Sequence, residues 1–309
     1  MSLLLGSRYV VLGIFVISAL YVHYRGRVRF KLLRQLFNHS TLLAPYNSLM
    51  YLFSALPARP ILDPAQLPEL DELRRHWPMM RAEALRLANE GYVRDALHNN
   101  DIGFNSFFKR GWKRFYLKWY DQPLPSARAL CPQTVALLES LPSIQGAMIA
   151  SLAPHSRLNP HRDPFAGSLR FHLGLVTANS DDCYISVDGQ HYSWHDGEAL
   201  LFDETYIHSV ENNTDVTRLV LLCDVERPLR CRPLSAMNHW VNRHIIKASA
   251  TQNLEAEPVG WLNRFYGNVY HPLAGGIALG MKRIKQANRA AYEIVKYALV
   301  LGILALVLI

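Results

Sequence analysis

Short apolar segments separated by turn residues fill the chain from residue 146 to residue 226. Cys183–Val187 and Gln190–Trp194 flank Asp188-Gly189, a two-residue pair typical of tight β-hairpins. Many short strands without intervening helices do not build a parallel α/β sheet and favour an antiparallel sandwich or jelly roll. The other strands are predicted at Ala147–Leu152, Leu169–Val176, Ala199–Phe202 and Thr217–Val225. We therefore predict an α+β, mainly β fold with a double-stranded β-helix (jelly-roll) core and flanking helices.

The region before these strands is mixed in character. Glu69–Glu90 has the apolar period of a helix, with a break or kink at Pro78. Phe104–Tyr120 is basic and aromatic, and its alternation predicts a half-buried strand. Cations beside aromatic rings also suit an anionic lipid headgroup or a nucleic acid, so a binding role stays open. Four prolines between residues 57 and 68 predict a stiff linker.

Both ends of the chain are apolar. Leu3–Val22 contains one charge, Arg8, and Ile294–Ile309 contains one, Lys296. About 20 helical residues span the hydrocarbon core of a bilayer, so we predict a membrane-anchoring helix at each end. A cleaved signal peptide is the alternative for the first segment, and an interfacial or core-packing helix is the alternative for the second. The basic residues flank both segments on the inner side, which places the middle of the chain in the cytoplasm.

The formal net charge of +8 at first favours a nucleic-acid partner. Residues 23–34, however, hold five Lys or Arg and no acid, and residues 281–296 hold five and one acid. The remainder of the chain carries 23 basic and 24 acidic residues and is close to neutral. We therefore interpret the charge as a membrane topology signal and predict no nucleic-acid partner. The four cysteines form no C-x-x-C pair, which argues against a zinc ribbon and for a reducing compartment.

One group of polar residues has the order and spacing of a metal site. His161 and Asp163 form an H-x-D pair, and His208 follows about 47 residues later. Two neutral imidazoles and one carboxylate make the facial triad of a non-haem Fe(II) centre, with three open positions. An H-x-D pair occurs by chance in many chains, so the prediction depends on the whole pattern. His155, His191 and His195 are predicted to have no metal role.

A second group of residues matches a chelating 2-oxo acid. Its free carboxylate needs a buried cation with two donors, which the guanidinium of Arg218, ten residues after His208, supplies. Arg170 and His172 share one face of a predicted buried strand, which is costly unless they meet an anion. We therefore predict that Arg218, Arg170 and His172 bind 2-oxoglutarate.

Two runs, NPHRDPFAGSLRFHLGLV and DGEALLFDETYIHSVENNTDVTRLVLLCDVERP, resemble the aspartyl/asparaginyl β-hydroxylase family. The family comprises Fe(II)/2-oxoglutarate dioxygenases on a double-stranded β-helix, and the resemblance is densest over residues 145–230. Together with the anchored ends, NDIGFNSFFKRGWKRFYLKWY is similar to the bacterial lipid A hydroxylase branch. The animal aspartyl hydroxylases have Gly where Asp163 stands here. They also bind the cosubstrate through a serine to which Ser151 is close in position.

The resemblance implies iron ligation by His161, Asp163 and His208, with 2-oxoglutarate and O₂ as cosubstrates and ascorbate as support in vitro. It implies hydroxylation at carbon 2 of a secondary acyl chain of lipid A or its Kdo-bearing precursor. The expected location is the cytoplasmic face of a Gram-negative inner membrane, with membrane lipid as a partner and no obligate protein partner. Arg110, Lys113 and Arg114 are candidates to receive headgroup phosphates.

Two alternatives remain at this stage. One is a protein aspartyl/asparaginyl β-hydroxylase, and the other is a non-catalytic jelly roll that senses a lipid or a small acid. The expected organisation has five parts: an anchor at 1–24; a basic flank, interfacial segment and Pro-rich linker at 25–68; a dioxygenase domain with N-terminal helices at 69–235; a helical, membrane-proximal segment at 236–289; and a transmembrane or membrane-associated helix at 290–309.

Overall fold

The computed structural model describes the backbone of residues 2–98 and 100–308, and the side chains of residues 8–98, 100–277 and 279–298. The strands are β1 Ile61–Leu62, β2 Trp112–Trp119, β3 Gln122–Pro123, β4 Ile144–Leu152, β5 Ser156–His161, β6 Ser168–Val176, β7 Cys183–Val187, β8 Gln190–Ser193, β9 Ala199–Phe202, β10 His208–Asn212 and β11 Arg218–Glu226. The α-helices are α1 Ser2–Tyr24, α2 Leu32–Leu36, α3 His39–Leu42, α4 Ala44–Leu52, α5 Leu70–Arg75, α6 Trp77–Asn89, α7 Asn105–Phe108, α8 Pro125–Leu130, α9 Pro132–Glu139, α10 Arg232–Val241, α11 Trp261–Phe265, α12 His271–Ala287 and α13 Arg289–Leu308.

The strands of the described chain form two antiparallel sheets. The larger has the order β1-β9-β6-β11-β4-β2-β3 and the smaller the order β5-β10-β7-β8. From β4 to β11 the chain passes repeatedly from one sheet to the other, which is a jelly-roll-like winding. The predicted mixed, mainly antiparallel architecture is therefore confirmed. Strands β5 and β10 were not predicted, because their sequences are polar and lack a clear apolar alternation.

One hydrophobic core joins the two sheets. Phe171 and Leu221 of the larger sheet are fully buried in the same cluster as Ile185 and Val210 of the smaller one. Burying large apolar side chains contributes about 2 kcal/mol each, so this cluster holds the sheets together. The hairpin between β7 and β8 is formed as predicted. Asp188 and Gly189 have φ values of 52° and 82°, the left-handed conformation that a two-residue hairpin turn requires.

Helices on the N-terminal side pack against the larger sheet. The predicted helix over residues 69–90 forms as α5 and α6 and breaks at His76. Pro78 lies in the first turn of α6, where the absence of an amide hydrogen leaves no hydrogen bond unmade. The Pro-rich segment, predicted as a linker, contributes β1, which pairs with β9 and buries Leu62. This segment is thus part of the larger sheet.

The basic segment that follows α1 enters the interior of the domain at its first arginine. The Arg25 side chain is 6% exposed and forms an ion pair of 2.5 Å with Asp203. Its guanidinium also lies 3.6 Å from the ring centre of Tyr51 and 4.1 Å from that of Tyr206. The sequence predicts Arg25 in a basic flank beside the bilayer. In the structure its side chain is buried instead, because the guanidinium pairs with the buried carboxylate of Asp203.

Among the described residues, no helix combines the length and the apolar character that a membrane crossing requires. The predicted anchoring helices at 1–24 and 290–309 are therefore not supported by the structure. Parts of both, residues 1–7 and 299–309, lie outside the described side chains. The described end of α1 packs against α4, where Val22 is buried in a small cluster with Met50 and Tyr51. In α13, Lys296 pairs with Glu293 at 3.1 Å.

Candidate metal centre

The smaller sheet brings the two predicted histidine ligands together. His161 is the last residue of β5, and His208 is the first residue of β10. The strands are antiparallel, and their register places His208 directly opposite His161. Asp163 follows two residues after β5, and its amide donates to the carbonyl of Glu204 at 2.9 Å. Potential ligand atoms of His161, Asp163 and His208 all lie within 4.8 Å of one another.

Hydrogen bonds orient both imidazoles toward the carboxylate. Nδ1 of His161 lies 2.8 Å from the carbonyl of Asn159, and Nδ1 of His208 lies 3.0 Å from that of Tyr206. Because a carbonyl only accepts, each Nδ1 carries the hydrogen, and each Nε2 keeps a free lone pair. These Nε2 atoms lie 3.8 and 3.9 Å from Oδ1 of Asp163.

The protonation of this cluster also suits a divalent metal. Burial, followed by the neighbouring His161, lowers the pKa of His208 to about 3, so its imidazole is neutral at pH 7. Burial raises the pKa of Asp163, but Arg170 and the two histidines outweigh it, and the net pKa falls below the ordinary value. Two neutral imidazoles and an ionised carboxylate are the donor set of a facial triad. The residues present thus fit the metal that the sequence pattern predicts.

Arg170 lines the same cavity and has protein partners that were not predicted. It donates to Oδ2 of Asp163 at 2.7 Å and, through Nε, to Glu204 at 2.5 Å. It also lies 3.1 Å from Asp224, which is directly opposite it on β11. Three carboxylates of the protein surround its guanidinium, and the predicted contact of Arg170 with the cosubstrate stays a prediction. The contacts of Arg170 hold Asp163 in position.

Glu204 and Asp224 were missed by the sequence reasoning. Burial raises the pKa of Glu204 well above its ordinary value and also raises that of Asp224. The Tyr120 hydroxyl donates to Asp224 at 3.2 Å, and the Ser168 hydroxyl donates to Glu204 at 2.8 Å. A signal was present for Asp224, since an acid among the apolar residues of a buried strand needs a cation or a donor.

Arg218 and His172 lie in the same cavity as the three candidate ligands. Arg218 is 2% exposed, and its guanidinium lies 4.3 Å from the ring centre of Trp194. Among the described residues, Nε and Nη1 of Arg218 and Nδ1 of His172 are buried without a hydrogen-bond partner. Burial lowers the pKa of Arg218 to about 10. These unmatched polar atoms beside the candidate metal ligands fit a carboxylate ligand.

The described cavity lining does not include Ser151 or the three residues predicted to receive headgroup phosphates. Ser151 lies on β4 opposite Leu219, and among the described residues it is not part of the cavity lining. Arg114, a candidate for headgroup phosphates, is buried and pairs with Asp101 at 3.1 Å, so it is not available to a lipid. Lys113 and Arg110 are exposed.

The rest of the cavity is apolar and aromatic. Its residues come from both sheets and from the segment around α7. Its apolar lining consists of Phe104, Phe107, Trp112, Leu158, Ile185, Phe202, Val210 and Leu222. A charged cosubstrate gains nothing from such a wall, whereas a hydrocarbon chain does.

Comparison with known proteins identifies a family and several similar proteins. A family model described as Aspartyl/Asparaginyl beta-hydroxylase matches residues 74–228. An ornithine lipid ester-linked acyl 2-hydroxylase from Rhizobium tropici is 33% identical over 195 residues, which cover 62% of this chain and 68% of that protein. The aspartyl/asparaginyl beta-hydroxylase of Homo sapiens is 26% identical over 187 residues, 58% of this chain, and the match spans 24% of the human protein. A Pseudomonas putida prolyl-4-hydroxylase structure has a TM-score of 0.35 and 18% identity, over 51% of this chain and 87% of that one.

Proposed function

The chain belongs to the aspartyl/asparaginyl β-hydroxylase family, and on that premise we propose that it is an Fe(II)- and 2-oxoglutarate-dependent hydroxylase of lipid acyl chains. One observation carries the proposal: the imidazoles of His161 and His208 face the carboxylate of Asp163, and in the same cavity Nε and Nη1 of Arg218 have no hydrogen-bond partner among the described residues. A bound ferrous ion would supply the oxygen chemistry that hydroxylates an unactivated C–H bond while O₂ and 2-oxoglutarate are consumed and succinate and CO₂ are formed.

The protein's own part at the metal is orientation. His161 and His208 present Nε2 because their Nδ1 hydrogens are engaged by backbone carbonyls. Arg170 engages Oδ2 of Asp163, which leaves Oδ1 directed at the histidines. Glu204 supports this arrangement twice, through the Arg170 guanidinium and through its carbonyl to the Asp163 amide.

The cosubstrate is held by the larger sheet. Arg218 offers Nε and Nη1 to the distant carboxylate of 2-oxoglutarate, and His172 offers Nδ1. Both residues are almost fully buried, so water competes little for these bonds. The Trp194 ring, 4.3 Å from the Arg218 guanidinium, stabilises the cation and limits the rotation of this side chain.

The substrate proposal combines the apolar wall with the relatives. The Rhizobium tropici protein is named as a 2-hydroxylase of an ester-linked acyl chain, which supports the same carbon and the same chemical class here. We specifically propose carbon 2 of a secondary acyl chain of lipid A or its Kdo-bearing precursor, at the cytoplasmic face of the inner membrane. An ornithine lipid is the second candidate, which the same relative favours.

Lipid mass spectrometry tests the proposal directly. The chain is expressed in a Gram-negative host that lacks lipid A hydroxylation and is supplied with ornithine lipid synthesis. A gain of one oxygen on lipid A is expected, and it disappears in His208→Ala. The same gain on ornithine lipid alone supports the second candidate and excludes the first.

Unchanged lipids, with a folded protein that still binds Fe(II), would contradict acyl hydroxylation. Succinate release stimulated by an Asp- or Asn-containing peptide would then favour protein hydroxylation, in line with the human relative. Binding of lipid with no succinate release would favour a sensor.

A further inference from the structure

The aromatic segment that begins at Phe104 covers the candidate metal centre. The Phe107 ring lies edge-on to His161, with 4.7 Å between ring centres and 61° between planes. Phe104 stacks on Trp112 at 4.8 Å and 19°, and Phe107 meets the Trp112 ring edge-on at 5.9 Å. Three aromatic rings thus form one surface next to a metal-ligand histidine. We call Phe104, Phe107 and Trp112 the aromatic wall.

The aromatic wall is held in place from both sides, although α7 has only four residues. The Asp101 carbonyl accepts from the amides of Phe104 and Asn105 at 3.1 and 2.9 Å. The Asp101 carboxylate is buried and pairs with Arg114 at 3.1 Å. Asn263, from the C-terminal part of the chain, accepts from the Ile102 amide at 2.8 Å. The Asp101–Arg114 ion pair and the Asn263 side chain thus hold the aromatic wall in position.

Phe107 packs on its aromatic neighbours and also lines the cavity. Phe104 and Phe107 remain half-buried, whereas Trp112 is 2% exposed and completes the core beneath them. Phe107 lines the cavity, but the next residue, Phe108, does not. A partly exposed aromatic ring against a metal ligand is positioned to touch whatever enters the cavity.

Building on the function proposed above, we propose that the aromatic wall is the acyl-chain subsite, and that Phe107 decides which carbon of the chain lies at the metal. A hydrocarbon chain gains free energy with each methylene that it buries against an apolar surface. A chain that lies along the half-buried rings of Phe104 and Phe107, with Trp112 packed beneath them, passes next to His161. Carbon 2 is bonded to the ester carbonyl carbon, so the ester lies beside the ligand cluster and the rest of the hydrocarbon chain extends along the aromatic wall.

Paired phenylalanine variants test this role. Phe107→Ala removes the ring from the cavity, whereas Phe108→Ala removes an equally large ring from the same helix outside the cavity lining. In Phe107→Ala, we expect the ratio of hydroxylated lipid to succinate to fall about tenfold, because the acyl chain is misplaced relative to the metal. The hydroxyl is also expected on more than one carbon. Phe107→Leu should restore most of the ratio. Phe108→Ala removes a ring that packs on Trp112 at 5.6 Å but does not line the cavity, so it should keep the wild-type ratio and hydroxyl position.

Three measurements separate the outcomes. Product mass spectra give the position of the hydroxyl, succinate release gives turnover, and thermal unfolding reports loss of stability. Equal ratios and positions in Phe107→Ala and Phe108→Ala, with wild-type lipid hydroxylation intact, would overturn the subsite and leave the proposed function standing. No hydroxylated lipid in the wild type would overturn both.

Discussion

At the scale of single residues, two buried arginines near the site have opposite surroundings. Arg170 has three carboxylates within ion-pair distance, at Asp163, Glu204 and Asp224. Arg218 has no hydrogen-bond partner for Nε or Nη1 among the described residues. A buried, unpaired cation costs free energy, which a carboxylate ligand would offset. The first arginine therefore holds carboxylates of the protein in place, and the second fits a carboxylate ligand.

This contrast predicts opposite effects of the same substitution. Arg218→Met removes an unpaired charge, so the unfolding free energy of the ligand-free protein should rise by roughly 1–3 kcal/mol. The stabilisation by 2-oxoglutarate should be lost. Arg170→Met, the matched control, leaves three carboxylates without their cation and should lower stability by about 3–5 kcal/mol. Urea unfolding with and without 2-oxoglutarate, in anaerobic Fe(II), measures both.

Either of two results would contradict the assignment of Arg218 to the cosubstrate. One is that 2-oxoglutarate stabilises Arg218→Met as much as it stabilises the wild type. The other is an unchanged apparent affinity for 2-oxoglutarate in Arg218→Ala, measured by succinate formation.

At the scale of elements, the segment after α1 is tied to the loops that carry the ligands. Arg25 bridges to Asp203 and Thr205, in the loop before β10. Arg162, between two candidate ligands, donates to the carbonyl of Val22 in α1 at 3.0 Å, and its own carbonyl contacts His39 at 2.9 Å. The N-terminal segment therefore holds both ligand loops from outside the sheets.

Arg25→Ala should weaken this connection in a pH-dependent way. At pH 7 we expect the unfolding free energy to fall by about 2–3 kcal/mol, because a buried charged hydrogen bond is lost. Burial raises the pKa of Asp203, but Arg227 and Arg25 outweigh it and hold the pKa below its ordinary 3.8. A depressed carboxyl pKa stabilises the fold above the unfolded pKa, and this contribution is lost as pH falls through the folded pKa.

The difference in unfolding free energy between the wild type and Arg25→Ala should therefore become smaller below about pH 4. Denaturant unfolding at several pH values measures it. Arg27→Ala is the control, because the Arg27 side chain is exposed. A difference that is constant from pH 7 to pH 2 would contradict the ion pair with Asp203 as the cause.

At the scale of the whole molecule, the site joins the two sheets. His161 and His208 belong to the smaller sheet, whereas His172 and Arg218 belong to the larger one. A metal and a cosubstrate bound together would link both sheets through one cluster. Ligand binding should then stabilise the whole domain against unfolding.

Metal and cosubstrate removal tests this coupling. Fe(II) with 2-oxoglutarate, each at about 100 times its dissociation constant, should raise the unfolding free energy by roughly 2.7 kcal/mol for each site occupied. Removal of Fe(II) with EDTA should abolish the part of this increase that is due to the metal. His208→Ala should show no metal effect, while His155→Ala, at an exposed histidine paired with Asp215, should behave as the wild type. If Fe(II) stabilised His208→Ala as much as it stabilises the wild type, His208 would be excluded as a metal ligand.

The sequence by itself determined most strands of the larger sheet, the hairpin between β7 and β8, and the candidates for metal binding. Strand alternation, the Asp188-Gly189 turn and the H-x-D pair are local patterns that can be read without the tertiary structure, whereas β5 and β10 lack such a pattern. The face shared by Arg170 and His172 also follows from the strand period of two, and both line the cavity.

Only the tertiary structure decided which partners the buried charges meet. Arg170 faces Asp224 because of the register between β6 and β11, and Arg25 reaches Asp203 across 178 positions of sequence. Register and long-range docking depend on how the whole core packs, and no local pattern specifies them. For the same reason, the sequence predicted an arginine for the cosubstrate at two positions, and the fold left one of them unpartnered.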